Sequence, residues 1–191
     1  MDIIEAIKTR RSIGRVKKDP VEKAVIEEII EAACWAPNHY NTQPWTFIVM
    51  SGEGRNRLAE GYANVAAVGL TEEISGEELE ERLAKERMKA LRSPVVIAAV
   101  CTPSDDKRAI IAEELAATHA AVQNLLLAAH AKGLGAVWRS GDPMYHPLMK
   151  QAFELSEEQQ LVGLIYIGYP DMTAPPGKRS AASDKTIWLD Q

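Results

Sequence analysis

Cysteine is scarce in this chain: 2 among 191 residues, Cys34 and Cys101, each set in apolar sequence. Free thiols in a reducing compartment fit that pattern better than a disulfide-stapled secreted domain. Basic charge is also short. The chain has 22 Lys and Arg against 27 Asp and Glu, a net charge of −5. That argues against a nucleic-acid binder, because neutralising phosphates needs a basic face. No apolar run approaches bilayer length; the richest stretch, around Leu125–Ala131, is short and interrupted, which excludes a membrane span. The opening MDIIEAIKTRRS places its charges after its apolar residues, the reverse of a secretory leader, so a cytoplasmic location is expected. Common nucleotide and metal signatures are missing: no Walker A loop, no GxGxxG leading from strand to helix, no CxxC and no HExxH. The four histidines, His39, His119, His130 and His146, show no metal-ligand spacing.

What remains is an ordinary globular composition, 46% hydrophobic and 26% charged, and a length that suits one domain over 1–191. A helix is expected from Asp2, which has Glu5 at capping-box spacing. A second is expected from Asp19, with Pro20 at N1 and Ile26, Ile29, Ile30 and Ala33 on one face, ending before Pro37. Residues 45–51, 95–101, 135–139 and 161–167 read as strands, the second apolar enough to be buried on both faces. Between the first two strands, 55–92 reads as two charged helices, 55–68 and 75–91, punctuated by Gly69 and Gly76. Their thin apolar stripe predicts a peripheral, mobile pair. The longest helix, 112–132, is alanine-rich and stops at Gly133. Pro147–Phe153 is a short helix. The arm 170–191 is Pro/Gly-rich and ends in Ile187-Trp188-Leu189, an apolar tip that needs somewhere to bury. The strands and helices do not alternate cleanly, which favours an α+β fold.

Three polar clusters stand in apolar surroundings. Arg10-Arg11-Ser12, at the end of the first helix, suits bidentate binding of a phosphate or a carbonyl-rich ring; two solvated cations balancing a helix C-terminus would read the same way. Asn38-His39-Tyr40-Asn41-Thr42-Gln43 is an amide-dense loop between helix and strand, suited to a ligand with alternating donors and acceptors, though Asn and Thr also favour turns. Cys34 with His39 is a conceivable nucleophile pair, but nothing nearby would lower the thiol pKa. Val137-Trp138-Arg139-Ser140 brings a cation and a hydroxyl to a strand's carboxyl end, or is simply a strand end with an exposed arginine.

RRS near residue 10, AP-x-H-x-x-x-QPW at 36–45 and GLGAVWRSG at 133–141, in that order, resemble the FMN-dependent nitroreductase family, and more narrowly its small single-domain NAD(P)H nitroreductase branch. The resemblance runs from Arg10 to Lys178-Arg179. It implies a central mixed sheet flanked by helices and a homodimer with exchanged C-terminal arms. It also implies an FMN in each of two interfacial sites, with NADH or NADPH as electron donor. Carried over by position, Arg10, Arg11 and Ser12 match the segment that grips the FMN phosphate and ring edge. Trp35 and His39 match a contribution from the second subunit, and Asn41 and Gln43 the loop beside the isoalloxazine. Val137, Trp138 and Arg139, with Ser140 following, match the strand end on the flavin; Lys178 and Arg179 match the basic tail. The stretch Leu127, Ala128, Ala129, His130, Ala131 and Lys132 matches a segment associated with the nicotinamide nucleotide, although a helix C-terminus repels phosphate. Two features depart from the common pattern: the third arginine comes one residue late, in RRSIGR, and His39 stands where small residues are usual.

The resemblance implies two-stroke, ping-pong transfer of two electrons from NAD(P)H through FMN to a nitroaromatic or quinone-like acceptor. A cation, Arg10 or Arg139, would steady the reduced flavin, and no side chain is required as an acid. A flavin-dependent dehalogenase-type variant, a flavin-consuming enzyme, and a non-catalytic flavin-binding or regulatory dimer are the other readings of the same fold.

Overall fold

The computed structural model describes residues 2–68, 70 and 75–189. Its elements in chain order are α1 (Ile3–Thr9), α2 (Lys23–Cys34), β1 (Trp45–Ser51), α3 (Asn56–Val68), α4 (Gly76–Arg87), β2 (Val95–Cys101), α5 (Ile111–Ala131), β3 (Gly135–Arg139), α6 (Asp142–Tyr145), α7 (Pro147–Ala152) and β4 (Gln160–Gly168). Among the described residues no helix is long and apolar enough to cross a membrane.

The four strands form one sheet in the order β1-β2-β4-β3. Every strand pair is antiparallel. Parallel pairing is confined to an isolated bridge between Ser12 and Ala136, so the mixed character expected of the sheet comes down to that one contact. The central strand β2 is buried along its whole length, as its unbroken apolar run requires. Alternate residues serve two cores. Val95, Ile97, Ala99 and Cys101 face Ile29, Ala121, Val122 and Leu125 of α2 and α5. Val96, Ala98 and Val100 face Leu58 and Tyr62 of α3 and Met149 of α7.

The local signals worked where side chains act on their own backbone. The Asp2 carboxylate accepts from the Ile4 amide at 3.3 Å. The Ser75 hydroxyl accepts from the Glu78 amide at 3.2 Å, starting α4. Gly133, at φ +74°, takes the left-handed turn that ends α5. Two expectations need correction. The second helix begins at Lys23, not beside Asp19: residues 12–17 are paired along the sheet, with Ile13 N–H donating to Ala136 O at 2.9 Å and Lys17 N–H to Tyr169 O at 2.8 Å, the chain then bends at Lys18 and Asp19, and Glu22 stands at the N-cap. The two helices in 55–92 are not both peripheral. α4 buries only Leu83, but α3 buries Leu58, Ala59, Gly61, Tyr62 and Ala63 and covers one face of the sheet. Small residues let α3 approach closely while contributing little to an apolar stripe. Gly69 lies outside the described residues. Finally, the four-residue α6 after Gly141 had no counterpart in the reading of the sequence.

Gly163 on β4 leaves room for the Trp138 indole of β3: a Cβ there would stand 2.7 Å from Trp138 Cδ1. The indole Nε1–H donates to Val162 O at 3.0 Å. Gly163→Ala should therefore push Trp138 off its seat and cost about 1–3 kcal/mol. Urea unfolding and a shift in tryptophan emission read this; an unchanged midpoint with unchanged emission would show that the indole is not held there.

Candidate functional site

The predicted cations do converge. The Arg11 guanidinium donates through Nη1 to Lys8 O at 2.7 Å and Arg10 O at 2.8 Å, and through Nε to Pro175 O at 3.2 Å. It thereby ties the C-terminal arm to the end of α1. The approach is close at Gly177, where a Cβ would collide with the Arg11 guanidinium. Arg179 comes near enough that burial first, then Arg11 and Arg179, lower the pKa of Arg10. Among the described residues none of Arg10, Arg11, Lys178 and Arg179 is in an ion pair. Arg10 and Arg11 line a cavity of about 290 Å³ with Leu126, His130 and Met172. The Thr9 hydroxyl donates to Glu5 O at 2.7 Å, so the contact between Thr9 Oγ1 and His130 Nε2 at 2.9 Å requires the ring to be the donor. Burial, then Arg10 and Arg11, hold the His130 pKa below its ordinary 6.5. Ser12 is exposed beside them. Arg15 is engaged elsewhere: its Nε donates to Asp171 O at 2.6 Å and pairs with the Asp171 carboxylate at 3.5 Å.

The amide loop lies at the opposite end of α5. Asn38 Oδ1 accepts from the Gln43 amide at 2.9 Å. Tyr40, Asn41 and Gln43 all hold φ near +50°, at 56°, 56° and 49°, a conformation that non-glycine residues keep only when their surroundings impose it. His39 does not pair with Cys34. Its Nδ1 meets Glu113 Oε2 at 2.7 Å, on the first turn of α5. Its ring stacks on Tyr40 at 3.8 Å, and the Arg108 guanidinium lies over the Tyr40 ring at 4.3 Å. Arg108 in turn grips Asp106 at 3.0 and 2.7 Å, holding that carboxyl down to about 2. Burial pushes the Cys101 thiol up, removing it as a nucleophile. Trp35 is 82% exposed beside the loop.

At the end of β3, Arg139 lies over the Tyr166 ring at 5.4 Å, with its Nε buried and unbonded. The Tyr166 hydroxyl, 3.2 Å from that of Tyr62, is pushed up by burial and by Tyr62. Val137 and Trp138 are half-buried and Ser140 exposed. The run Leu127–Lys132 spreads round its helix. Leu127, Ala128 and Ala131 face α1 across a shallow groove, Ala129 is wholly buried, His130 meets Thr9, and Lys132 pairs with Glu28. These six residues cannot all meet one ligand. Sequence reasoning missed Glu113, Tyr62 and Tyr166. The acidic pair Glu113-Glu114 opening a long helix was the only available signal for the first; the tyrosines read as core.

The pattern of the nitroreductase family matches residues 7–169. YfhC of Bacillus subtilis (strain 168), provisionally named an NAD(P)H nitroreductase, is 35% identical over 182 residues, covering 95% of this chain and 91% of that protein. A nitroreductase-like family protein from Bacillus cereus superposes with a TM-score of 0.83 at 34% identity, covering 100% of this chain and 97% of that one. A protein from Desulfovibrio desulfuricans, provisionally named a nitroreductase and solved in complex with FMN, superposes at 0.72 with 25% identity over 100% of this chain and 98% of that one.

Because the native His130 pKa is lowered, the unfolded chain binds a proton that the folded chain does not in the window below 6.5. Stability should therefore fall as pH drops through that window. An anion between the arginines would relieve the repulsion, so inorganic phosphate should raise the His130 pKa. An NMR titration of the His130 ring with and without phosphate checks both; a value at or above 6.5 without phosphate would contradict the clustering.

Proposed function

The chain belongs to the nitroreductase family, and from that premise we propose that it is an FMN-dependent NAD(P)H oxidoreductase working as a homodimer. The observation that carries the reading is the set of mutually repelling guanidiniums of Arg10, Arg11 and Arg179. A cluster of cations with no anion among the described residues fits a dianionic terminal phosphate, and a flavin mononucleotide ends in one. The solved Desulfovibrio relative binds FMN, in keeping with that fit.

A distance supports the dimer. His130, beside the arginines, and Glu113, beside the amide loop, are 17 residues apart on one helix, about 25 Å at 1.5 Å per residue. That exceeds the length of a flavin mononucleotide. One chain cannot close both groups on the same molecule, whereas two chains with their α5 helices in opposite senses can. Uncovered apolar side chains support a second copy: Ile3, Ile4 and Ile7 on α1, and Ile187, Trp188 and Leu189 on the arm, the last three more than four-fifths exposed.

In this reading Arg10, Arg11 and Arg179 hold the phosphate, with Ser12 and Lys178 close by. Asn41 and Gln43, from the other copy, offer amides to the ring edge. Val137–Arg139 line the ring, and the unbonded Nε of Arg139 supplies a cation where reduced flavin carries negative charge. Bound flavin supplies the chemistry of accepting and returning an electron pair. NAD(P)H delivers that pair and leaves before a nitroaromatic or quinone-like acceptor enters the same space. The reducing cytoplasm suits the free thiols.

Anaerobic absorbance of the FMN-reconstituted protein, before and after NADH or NADPH, tests the activity; a protein that takes up no FMN would refute the reading. Arg11→Ala should weaken FMN binding 10- to 100-fold, the worth of a charge-assisted contact, and leave riboflavin binding, which lacks the phosphate, nearly unchanged. Fluorescence titration of both flavins separates the two.

A further inference from the structure

Resting on the oxidoreductase reading, we propose that His39 is a catalytic proton donor to the electron acceptor, and that Glu113 is its positioning residue. The pair is built rather than incidental. A carboxylate only accepts, so the 2.7 Å contact fixes the His39 proton on Nδ1, aimed at Glu113 Oε2. Nε2 is then the nitrogen left for a second partner. The ring cannot swing away freely. It lies nearly parallel to Tyr40, 15° off at 3.8 Å, and Tyr40 is itself clamped by Arg108, which Asp106 holds in a two-point grip. The left-handed backbone at Tyr40, Asn41 and Gln43 shows that the loop is forced to present these side chains. His39, Glu113 and the methyl faces of Ala116 and Ala117 border an open cavity of about 410 Å³. A planar, apolar molecule with a carbonyl or nitro oxygen suits a floor of alanine with an imidazole at its edge.

The chemistry balances for a quinone. The Nε2–H bond of the His39 imidazolium breaks and an O–H bond forms on one quinone oxygen. A hydride, the electron pair plus the second hydrogen, comes from flavin reduced by NAD(P)H. The product is the hydroquinone, and His39, left neutral with its proton on Nδ1 against Glu113, is reprotonated from water. Glu113 holds the Nδ1 proton and so keeps Nε2 as the nitrogen that faces the acceptor before and after transfer.

The test compares two acceptors. Ferricyanide takes electrons without a proton; 1,4-benzoquinone needs protons. His39→Gln should lower kcat with benzoquinone about 100-fold relative to kcat with ferricyanide. Glu113→Gln should lower the same ratio about ten-fold, with partial recovery in Glu113→Asp. Normalising to ferricyanide removes any effect of flavin occupancy. A readout independent of turnover is the ¹⁵N spectrum of the His39 ring in the protein without flavin. The neutral ring should be protonated on Nδ1 in the wild type and lose that preference in Glu113→Gln. An unchanged acceptor ratio in His39→Gln, or an Nε2-protonated neutral ring in the wild type, overturns the proposal while the flavin reading stands. A wild-type protein that passes electrons from NAD(P)H to neither acceptor overturns both.

Discussion

Arg10, Arg11 and Arg179 repel one another, and the chain nevertheless holds them together. Arg11 does this by giving its donors to backbone carbonyls at Lys8, Arg10 and Pro175 rather than to a carboxylate. Carbonyl oxygens fix a guanidinium in place without cancelling its charge, so the charge remains available to a ligand. The close fit of Gly177 against Arg11 serves the same end, letting the arm descend onto the cation. Much of the surrounding architecture can be read as support for this arrangement. The extended segment 12–17 leaves α1 and is stitched to Ala136 and Tyr169, which fixes where the arginines start. Arg15, three residues past the bridge at Ser12, is drawn off by Asp171 and does not add to the cluster.

The helix α5 then sets the scale. Its small residues allow α2 and all four strands to pack closely on it, and its length keeps cationic and amide-bearing groups at opposite ends. In the proposed dimer the separation has a use: a site whose halves lie too far apart in one chain would be completed by symmetry. It also accounts for the apolar side chains left uncovered on α1 and the arm, which a lone chain would expose to water at a cost of about 25 cal/mol per Å².

Strands were the most legible part of the fold because their signals are local and their burial is extreme. Residues 45–51, 95–101 and 135–139 match their observed spans. The start of α2 was not legible, since Asp19 and Pro20 form a sound cap in isolation, whereas in the fold the chain leaves its pairing with the sheet at Lys17, bends at Lys18 and Asp19, and enters the helix only after Glu22. α3 misled because Ala59, Gly61 and Ala63 bury a helix without looking hydrophobic. In the candidate site, RRS and KR marked the cations that the structure brings near one another, although Arg15, Lys17 and Lys18 gather as much charge in the sequence. Their lack of counter-ions could not, since that depends on which carboxylates the fold sends elsewhere, as it sends Asp171 to Arg15. Glu113 was invisible for the same reason: 74 residues separate it from His39.

The loop 38–43 shows how strain and rigidity are divided in this molecule. Its backbone occupies the left-handed region at three non-glycine positions, and each such residue costs about 1–3 kcal/mol. A turn needing only to reverse direction would use glycine there and avoid the cost. Here the side chains do what glycine could not: Tyr40 carries the imidazole stack, and Asn41 and Gln43 put side-chain amides into the loop. The stabilisation that offsets the strain comes from outside the loop, through Glu113 and the Asp106–Arg108 pair. The loop is thus kept in shape by charges on α5 and on the segment before it, so the chemistry proposed for His39 depends on Glu113, Asp106 and Arg108, which lie far from the loop in sequence.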